Sequence, residues 1–318
     1  MKNNRIIRII ILVVLMVIIV AIAFLMGKRS KPISRDGYYF DTYVNLTVYN
    51  QKDAKYLDEC LMMCERYEKL FSRTLKGSDI WNVNNAGGEA VSVDPETYYL
   101  IEKALEFCEE TDGAVDLTVA PLVDAWGFNH NDEVRTNKPS DEEIEEALDK
   151  VNYKNVILLD NNMIKLEGDG TKIDLGFIAK GYIADKLKEY LVSKNVKSAI
   201  ISLGGNIVVI ENKPDGSEYN IGIKDPNNSG DIIRSLKVSD KSVVTSGTYE
   251  RYVEYNGVKY HHILDTKTGY PVDNGVQSVT IVSDSSLEGD ALSTICLILG
   301  EEGAEEILNK YNSEAYFY

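Results

Sequence analysis

From residue 38 onward, apolar and polar positions recur in short blocks whose period switches between two and about 3.6 residues. Val44, Leu46 and Val48 alternate with polar residues and predict a half-buried strand. Over residues 54–71, apolar positions 57, 60, 61, 64, 67, 70 and 71 follow helical spacing. Asp94-Pro95 caps and starts a second helix, with Leu100, Ile101, Ala104, Leu105 and Cys108 inward. Ser140 followed by Glu143 has the form of a capping box, opening a charged helix that runs to Val151. Segments 156–159 and 163–166 flank Asp160-Asn161-Asn162 and predict a hairpin. The second half is richer in strands, expected at 198–210, 219–224, 235–245, 251–255, 258–265 and 276–283. Asn256-Gly257 marks a tight hairpin between two of them. Helices are expected at 178–193, 289–299 and 301–311. Hairpins mixed with helices predict an α+β fold, with no internal repeat.

Ahead of this pattern, residues 9–26 form an unbroken run of 18 apolar residues. At about 1.5 Å per residue the run covers roughly 27 Å, close to a ~30 Å hydrocarbon core. It exceeds the usual length of a signal-peptide core, and no clear small-residue cleavage site follows it. A single-pass anchor over residues 1–27 is therefore expected, then a basic linker over 28–36 and a folded domain over 37–318. Three side-chain cations precede the run and four follow it closely, so charge alone does not orient the anchor. No cysteine lies before Cys60, which removes a lipid-modified N-terminus.

Charge narrows the partners. Residues 36–318 carry 27 basic against 50 acidic side chains, a net −23. Such a surface repels phosphate backbones, and no nucleic-acid partner is expected. An anionic ligand would need local cations or a metal. Cys60, Cys64, Cys108 and Cys296 are too few for a disulfide scaffold and read as buried apolar residues.

Candidate chemistry collects in a few places. His261 and His262 are adjacent on a strand that runs into the turn-forming stretch Asp265-Thr266-Lys267-Thr268-Gly269-Tyr270-Pro271. Neighbouring strand side chains point oppositely, so one of the two at most serves a given site. On a helix, Asp290 and Thr294 share a face at i, i+4. Either both reach a hard cation, or Asp290 caps the helix while Thr294 is buried and bonds back to the backbone. Gly204-Gly205-Asn206 and Thr245-Ser246-Gly247-Thr248 are glycine-bearing turns, and neither is a P-loop. Asp174-Leu175-Gly176-Phe177-Ile178-Ala179-Lys180-Gly181 is a strand-to-helix junction where free N–H groups and Lys180 favour anions.

Taken in order, these segments resemble the ApbE family, the FAD:protein FMN transferases. The resemblance is carried by Asp116-Leu117-Thr118-Val119-Ala120-Pro121-Leu122-Val123 with Trp126-Gly127-Phe128, and by Asp174-Leu175-Gly176 with Ala179-Lys180-Gly181-Tyr182. It continues through Gly204-Gly205-Asn206, Thr245-Ser246-Gly247 with Tyr249-Glu250-Arg251-Tyr252, the His-His-Ile-Leu-Asp turn, and Asp290 with Thr294. It extends over nearly everything from Tyr38 to the C-terminus. Each motif alone is weak, and the ordered set is specific.

The resemblance implies an ApbE-like mixed α/β domain of two intimately packed lobes that transfers FMN from FAD to a Ser or Thr hydroxyl and releases AMP. It implies a Mg²⁺ ion held by the side chains of Asp290 and Thr294 and the backbone carbonyl of Phe177, with Ser293 lining the metal site. Phe40, Ala125, Trp126, Gly127, Asp174, Lys180 and Leu264 fall where relatives contact FAD, Phe40 standing where methionine is common. His262 would activate the incoming hydroxyl while His261 faces away. The implied partner is a separate protein with an FMN-binding domain and an acceptor resembling D-x-x-[ST]-G-A-T. The chain's own Asp265–Gly269 matches only the first half of that pattern. The family also implies a catalytic domain outside the cytoplasmic membrane. A metal-dependent FAD pyrophosphatase would use the same residues, and a non-catalytic flavin-binding module would need neither metal nor His262.

Overall fold

The computed structural model describes residues 14–17, 31–128, 135–228 and 230–318. The expected anchor lies outside the described residues except for Val14–Val17, which are helical and exposed. Among the described residues no helix is long and apolar enough to cross a membrane.

A seven-stranded antiparallel sheet forms the frame. Its strands run β1 (Ile33–Tyr39), β2 (Thr42–Val48), β6 (Ala199–Leu203), β7 (Asn206–Ile210), β10 (Ser242–Gly247), β13 (Ser278–Ser283) and β14 (Glu314–Phe317). Three smaller sheets flank it. They are β3 (Val91–Ser92) with β5 (Met163–Leu166) and β4 (Val156–Leu159), then β8 (Tyr219–Lys224) with β9 (Ile232–Val238), and β11 (Tyr252–Tyr255) with β12 (Val258–His261). The helices are α1 (Lys55–Phe71), α2 (Asp79–Asn84), α3 (Pro95–Glu110), α4 (Ala120–Trp126), α5 (Asp141–Leu148), α6 (Ala179–Ser193), α7 (Ser286–Gly303) and α8 (Glu305–Tyr311). The expected α+β order is what the chain adopts.

Local signals act where they were read. The Asp94 carboxylate accepts from the Glu96 N–H at the start of α3, and Ser140 with Glu143 completes a reciprocal capping box on α5. Asn161 and Asn162 take positive φ between β4 and β5, as do Asn256 and Gly257 between β11 and β12. Asn256-Gly257 thereby makes a two-residue turn that matches strand twist, whereas residues 160–162 form a three-residue connection.

Several boundaries differ, and each difference bears on the site. The stretch read as one strand over 198–210 folds back at Gly204-Gly205 into β6 and β7, with Leu203 paired to Asn206. The stretch over 235–245 divides at residues 239–241, and its two halves join different sheets. The strand expected over 258–265 ends at His261, leaving Leu264 to bridge Pro271. Residues 33–36, read as the end of a linker, are the first half of β1 and pair with β2. The helix expected from Gly289 starts at Ser286, capped by Ser285, and runs past Leu299 to Gly303, bent at Gly300. The helix expected over 301–311 is accordingly shortened to α8.

Apolar packing is one dominant core with two smaller clusters. Ile201, Val208, Val279 and Ile281 face the helical side and join the dominant core with α1, α3, α6 and α7. Val209 and Val243 face the other side, where Tyr219, Ile221, Ile223, Leu236 and Val238 of the β8–β9 hairpin cover them. Strands covered on both faces carry apolar residues at successive positions, as residues 207–210 do. A third cluster gathers Leu122, Trp126, Phe128, Ile144, Ala147, Tyr255 and Leu264 beside the site.

Candidate active site

A cleft of about 1030 Å³ opens where the β1–β2 turn, the α6 entry, the Gly204-Gly205 turn and α7 converge. That is large for a single small-ligand pocket, whose usual range is about 300–1,000 Å³. Phe40, Asp174, Phe177, Lys180, His262, Leu264, Asp290 and Thr294 all line it, bringing together eight positions that the sequence singled out. Ser293, Ala125, Trp126 and Gly127 do not line it.

One end is built by a close crossing of α6 and α7. A Cβ on Gly181 would sit 2.2 Å from the Ser286 carbonyl oxygen and 2.7 Å from Asp290 Cβ, so only glycine permits the approach. The crossing lets the Gly181 N–H donate to Asp290 Oδ2 at 2.8 Å and puts Lys180 Nζ 3.4 Å from Asp290 Oδ1. Lys180 also donates to the Gly176 carbonyl at 3.0 Å. Asp290 is 2% exposed. Burial pushes its carboxyl pKa up, opposed by Lys180 and the Gly181 N–H. Because Ser285 caps α7, Asp290 is free of any capping duty. Its carboxylate is directed across to α6 instead.

Hydroxyls cluster beside this carboxylate. Ser246 Oγ lies 2.7 Å from Ser293 Oγ and 3.2 Å from Thr294 Oγ1, and Ser293 donates to the Asp290 carbonyl at 2.9 Å. Ser293 is fully buried and holds this network from behind. Among the described residues no group of three or more His, Cys, Asp or Glu could hold a metal ion. The donors present are one carboxylate and neighbouring hydroxyl oxygens. That set fits a hard cation which fills its shell with substrate phosphates and water rather than with protein alone.

His262 enters from the strand end. Its Nδ1 lies 3.1 Å from the Arg251 carbonyl oxygen, which only accepts, so Nδ1 carries the proton and Nε2 keeps its lone pair. The residue is half-buried and lines the cleft. Burial, with the nearby Arg251 charge, pushes its pKa down to about 4. It is a neutral imidazole at physiological pH, the form a general base requires. His261 turns the other way, its Nε2 lying 2.9 Å from the Val272 carbonyl, and does not line the cleft.

The opposite wall is organised by Arg73, a residue without a sequence signal. Arg73, 15% exposed at its side chain, pairs with Asp124 on α4 and with Asp174, each at 2.8 Å. Asp174 also accepts from the Gly176 N–H at 2.7 Å, so its orientation is fixed from two sides. Phe40 takes φ 55° in the turn between β1 and β2, and its N–H donates to Glu68 at 2.8 Å. Trp126 is fully buried, its indole donating to the Gly269 carbonyl at 2.8 Å while Tyr255 donates to its own carbonyl at 2.9 Å. The stretch Ala125–Gly127 thus braces the wall, and the neighbouring Val119, Val123 and Phe128 present its surface. Glu250 was legible only as part of a motif. It projects into the cleft, where burial and the Asp290 charge raise its pKa against Lys180, Lys224 and Arg251.

Known proteins share this fold and much of this sequence. The model of the ApbE family matches residues 40–317. The FAD:protein FMN transferase of Klebsiella pneumoniae (strain 342) is 36% identical over 278 residues, covering 86% of this chain and 84% of the relative. That of Treponema pallidum (strain Nichols) is 33% identical over 303 residues, covering 89% and 83%. Among solved structures, the ApbE protein from Thermotoga maritima superposes with a TM-score of 0.82 at 37% identity, covering 90% of this chain and 94% of its own. The flavin transferase ApbE from Vibrio cholerae gives 0.76 at 26% identity, covering 90% and 93%.

Proposed function

The chain belongs to the ApbE family, and on that premise we propose that it moves FMN from FAD onto a Ser or Thr hydroxyl of a separate flavoprotein, releasing AMP. The observation that carries this reading is a neutral His262 with an unprotonated Nε2, in the same cleft as the buried Asp290–Lys180 pair. In the transfer the acceptor oxygen forms a new bond to the FMN phosphorus. The P–O bond to AMP breaks, and its electron pair leaves on AMP. His262 Nε2 receives the hydroxyl proton. Lys180 places positive charge at the pyrophosphate, in a domain whose net charge would otherwise repel it. Asp290 and Thr294, with the Phe177 carbonyl, would hold Mg²⁺, which supplies charge neutralisation of the pyrophosphate when bound.

The test is incubation of the purified chain with FAD, Mg²⁺ and an FMN-binding-domain protein. Covalent flavin fluorescence on the acceptor band in a denaturing gel, with one AMP per flavin, is expected. Free FMN and AMP with a dark acceptor band would make the chain an FAD pyrophosphatase instead.

The apolar run at 9–26 anchors the domain, which stands outside the cytoplasmic membrane, where a separate acceptor flavoprotein meets it. Protease added to intact spheroplasts is then expected to degrade the domain and spare a cytosolic control. Survival of the domain would reverse its orientation. A soluble active form should begin at residue 31, ahead of β1, because a later start cuts into the paired strand.

A further inference from the structure

The β8–β9 hairpin is covered by protein on one face only. Tyr219, Ile221, Ile223, Leu236 and Val238 pack onto the main sheet, so Asn220, Gly222 and Lys224 point the other way, and Gly222 and Lys224 line the cleft. Cross-strand partners share a face, which puts Lys237 (opposite Asn220) and Ile232 (opposite Lys224) on the cleft side as well. The register shifts by one residue between Ile223 and Lys224, leaving Ile233 as the extra residue of a bulge. Neither isoleucine is turned inward: Ile232 is 63% and Ile233 45% exposed. Gly222 makes room for Ile232, whose Cδ1 lies 2.8 Å from where a Cβ would stand.

Two further features make this face a platform. It is held in place, because Asn227 accepts from Gln277 at 3.3 Å and Arg234 lies over the Tyr316 ring at 4.7 Å. Its charge also runs against the rest of the domain. Lys224 and Lys237 stand on its strand positions, where no carboxylate does, and Asp225 and Asp231 lie toward the tip, whereas residues 36–318 are net −23. Both of those carboxylates are engaged in the tip turn, Asp225 by the Asn227 N–H at 2.8 Å and Asp231 by the Asn228 amide at 2.6 Å.

We propose that the cleft-side face of this hairpin, Ile232 and Ile233 with Lys224 and Lys237, docks the acceptor protein through a segment carrying carboxylates beside an apolar side chain. The inference rests on the transferase reading, since only transfer to a protein requires a second macromolecule at the mouth of the cleft. An exposed aliphatic pair continuous with the cleft wall, on a face that also carries Lys224 and Lys237, is what such a segment would bury and neutralise. A free small-molecule acceptor would have no use for Ile232, which lies outside the cleft lining.

The experiment uses the full chain and a purified FMN-binding-domain protein that the wild-type enzyme flavinylates. Ile232→Asp and Lys237→Glu are each expected to raise the KM for the acceptor about tenfold or more. The KM for FAD and the rate of FAD breakdown without acceptor should stay at wild-type values, which also shows that the variants fold. The acceptor KM of wild type should rise with salt, and that of Lys237→Glu should rise less steeply. Wild-type acceptor KM in both variants would overturn the docking face and leave the transferase reading standing. Failure of the wild type to flavinylate any acceptor, with FAD still cleaved, would overturn both.

Discussion

Replacing Asp290 by Ala should abolish flavin transfer, and a chelator should do the same to the wild type. Asp290 is the one buried carboxylate on the α7 face of the cleft, and it holds both Lys180 and the Gly181 N–H in place. Loss of charge and of geometry together should exceed the about 10–100-fold typical of removing an outer partner of a metal site. Asp290→Asn separates chemistry from folding. The amide oxygen still accepts from Gly181, and no charge remains to be buried at a position that raises the carboxyl pKa. The Asn variant should therefore keep or raise its Tm while losing activity, as expected where a site is maintained against stability. Activity assays with and without Mg²⁺, beside thermal unfolding, decide it. Full activity of Asp290→Ala in chelator would remove the carboxylate from the mechanism.

His262→Ala should slow transfer by about 10²–10⁴-fold, the usual range for a lost general base, with FAD binding retained. His261→Ala should keep most activity, because that ring bonds to Val272 away from the cleft. With His262 neutral down to about pH 4, the acid limb of the wild-type rate should fall near that value rather than near 6.5. The same depression makes folding stability pH-dependent. The unfolded imidazole takes a proton as pH falls through 6.5 and the folded one resists until about 4, so stability declines across that window. His262→Ala should abolish its share of the decline. Flavinylation rate, FAD affinity and thermal unfolding across pH 4–8 check all three statements. An inactive His261→Ala beside an active His262→Ala, both folded, would assign the base to the other face of the strand.

What the sequence could determine was set by neighbours along the chain. The Ser140–Glu143 box, the Asp94-Pro95 helix start and the two Asn-bearing hairpins depend only on local backbone chemistry, and each formed as read. Adjacent strand positions also separated His261 from His262 before any fold was known, since strand side chains alternate whatever the sheet order. The ordered motifs pointed to the family, and residues 40–317 match it.

Only the tertiary structure decided the rest, because those outcomes depend on contacts between distant segments. The glycine-bearing turn at Gly204-Gly205 was legible, but that it joins β6 and β7 as neighbours in one sheet was decided by their pairing. The duty of Asp290 turned on Ser285 taking the cap and on Gly181 letting two helices meet, 109 residues apart along the chain for the hydrogen bond. Arg73 joins carboxylates that lie 51 and 101 positions away, and nothing in its own neighbourhood announces it. Trp126, which falls where relatives contact FAD, is held within the wall by a carbonyl 143 residues on. The proton on His262 was settled last, by a backbone oxygen and by burial that no local pattern encodes.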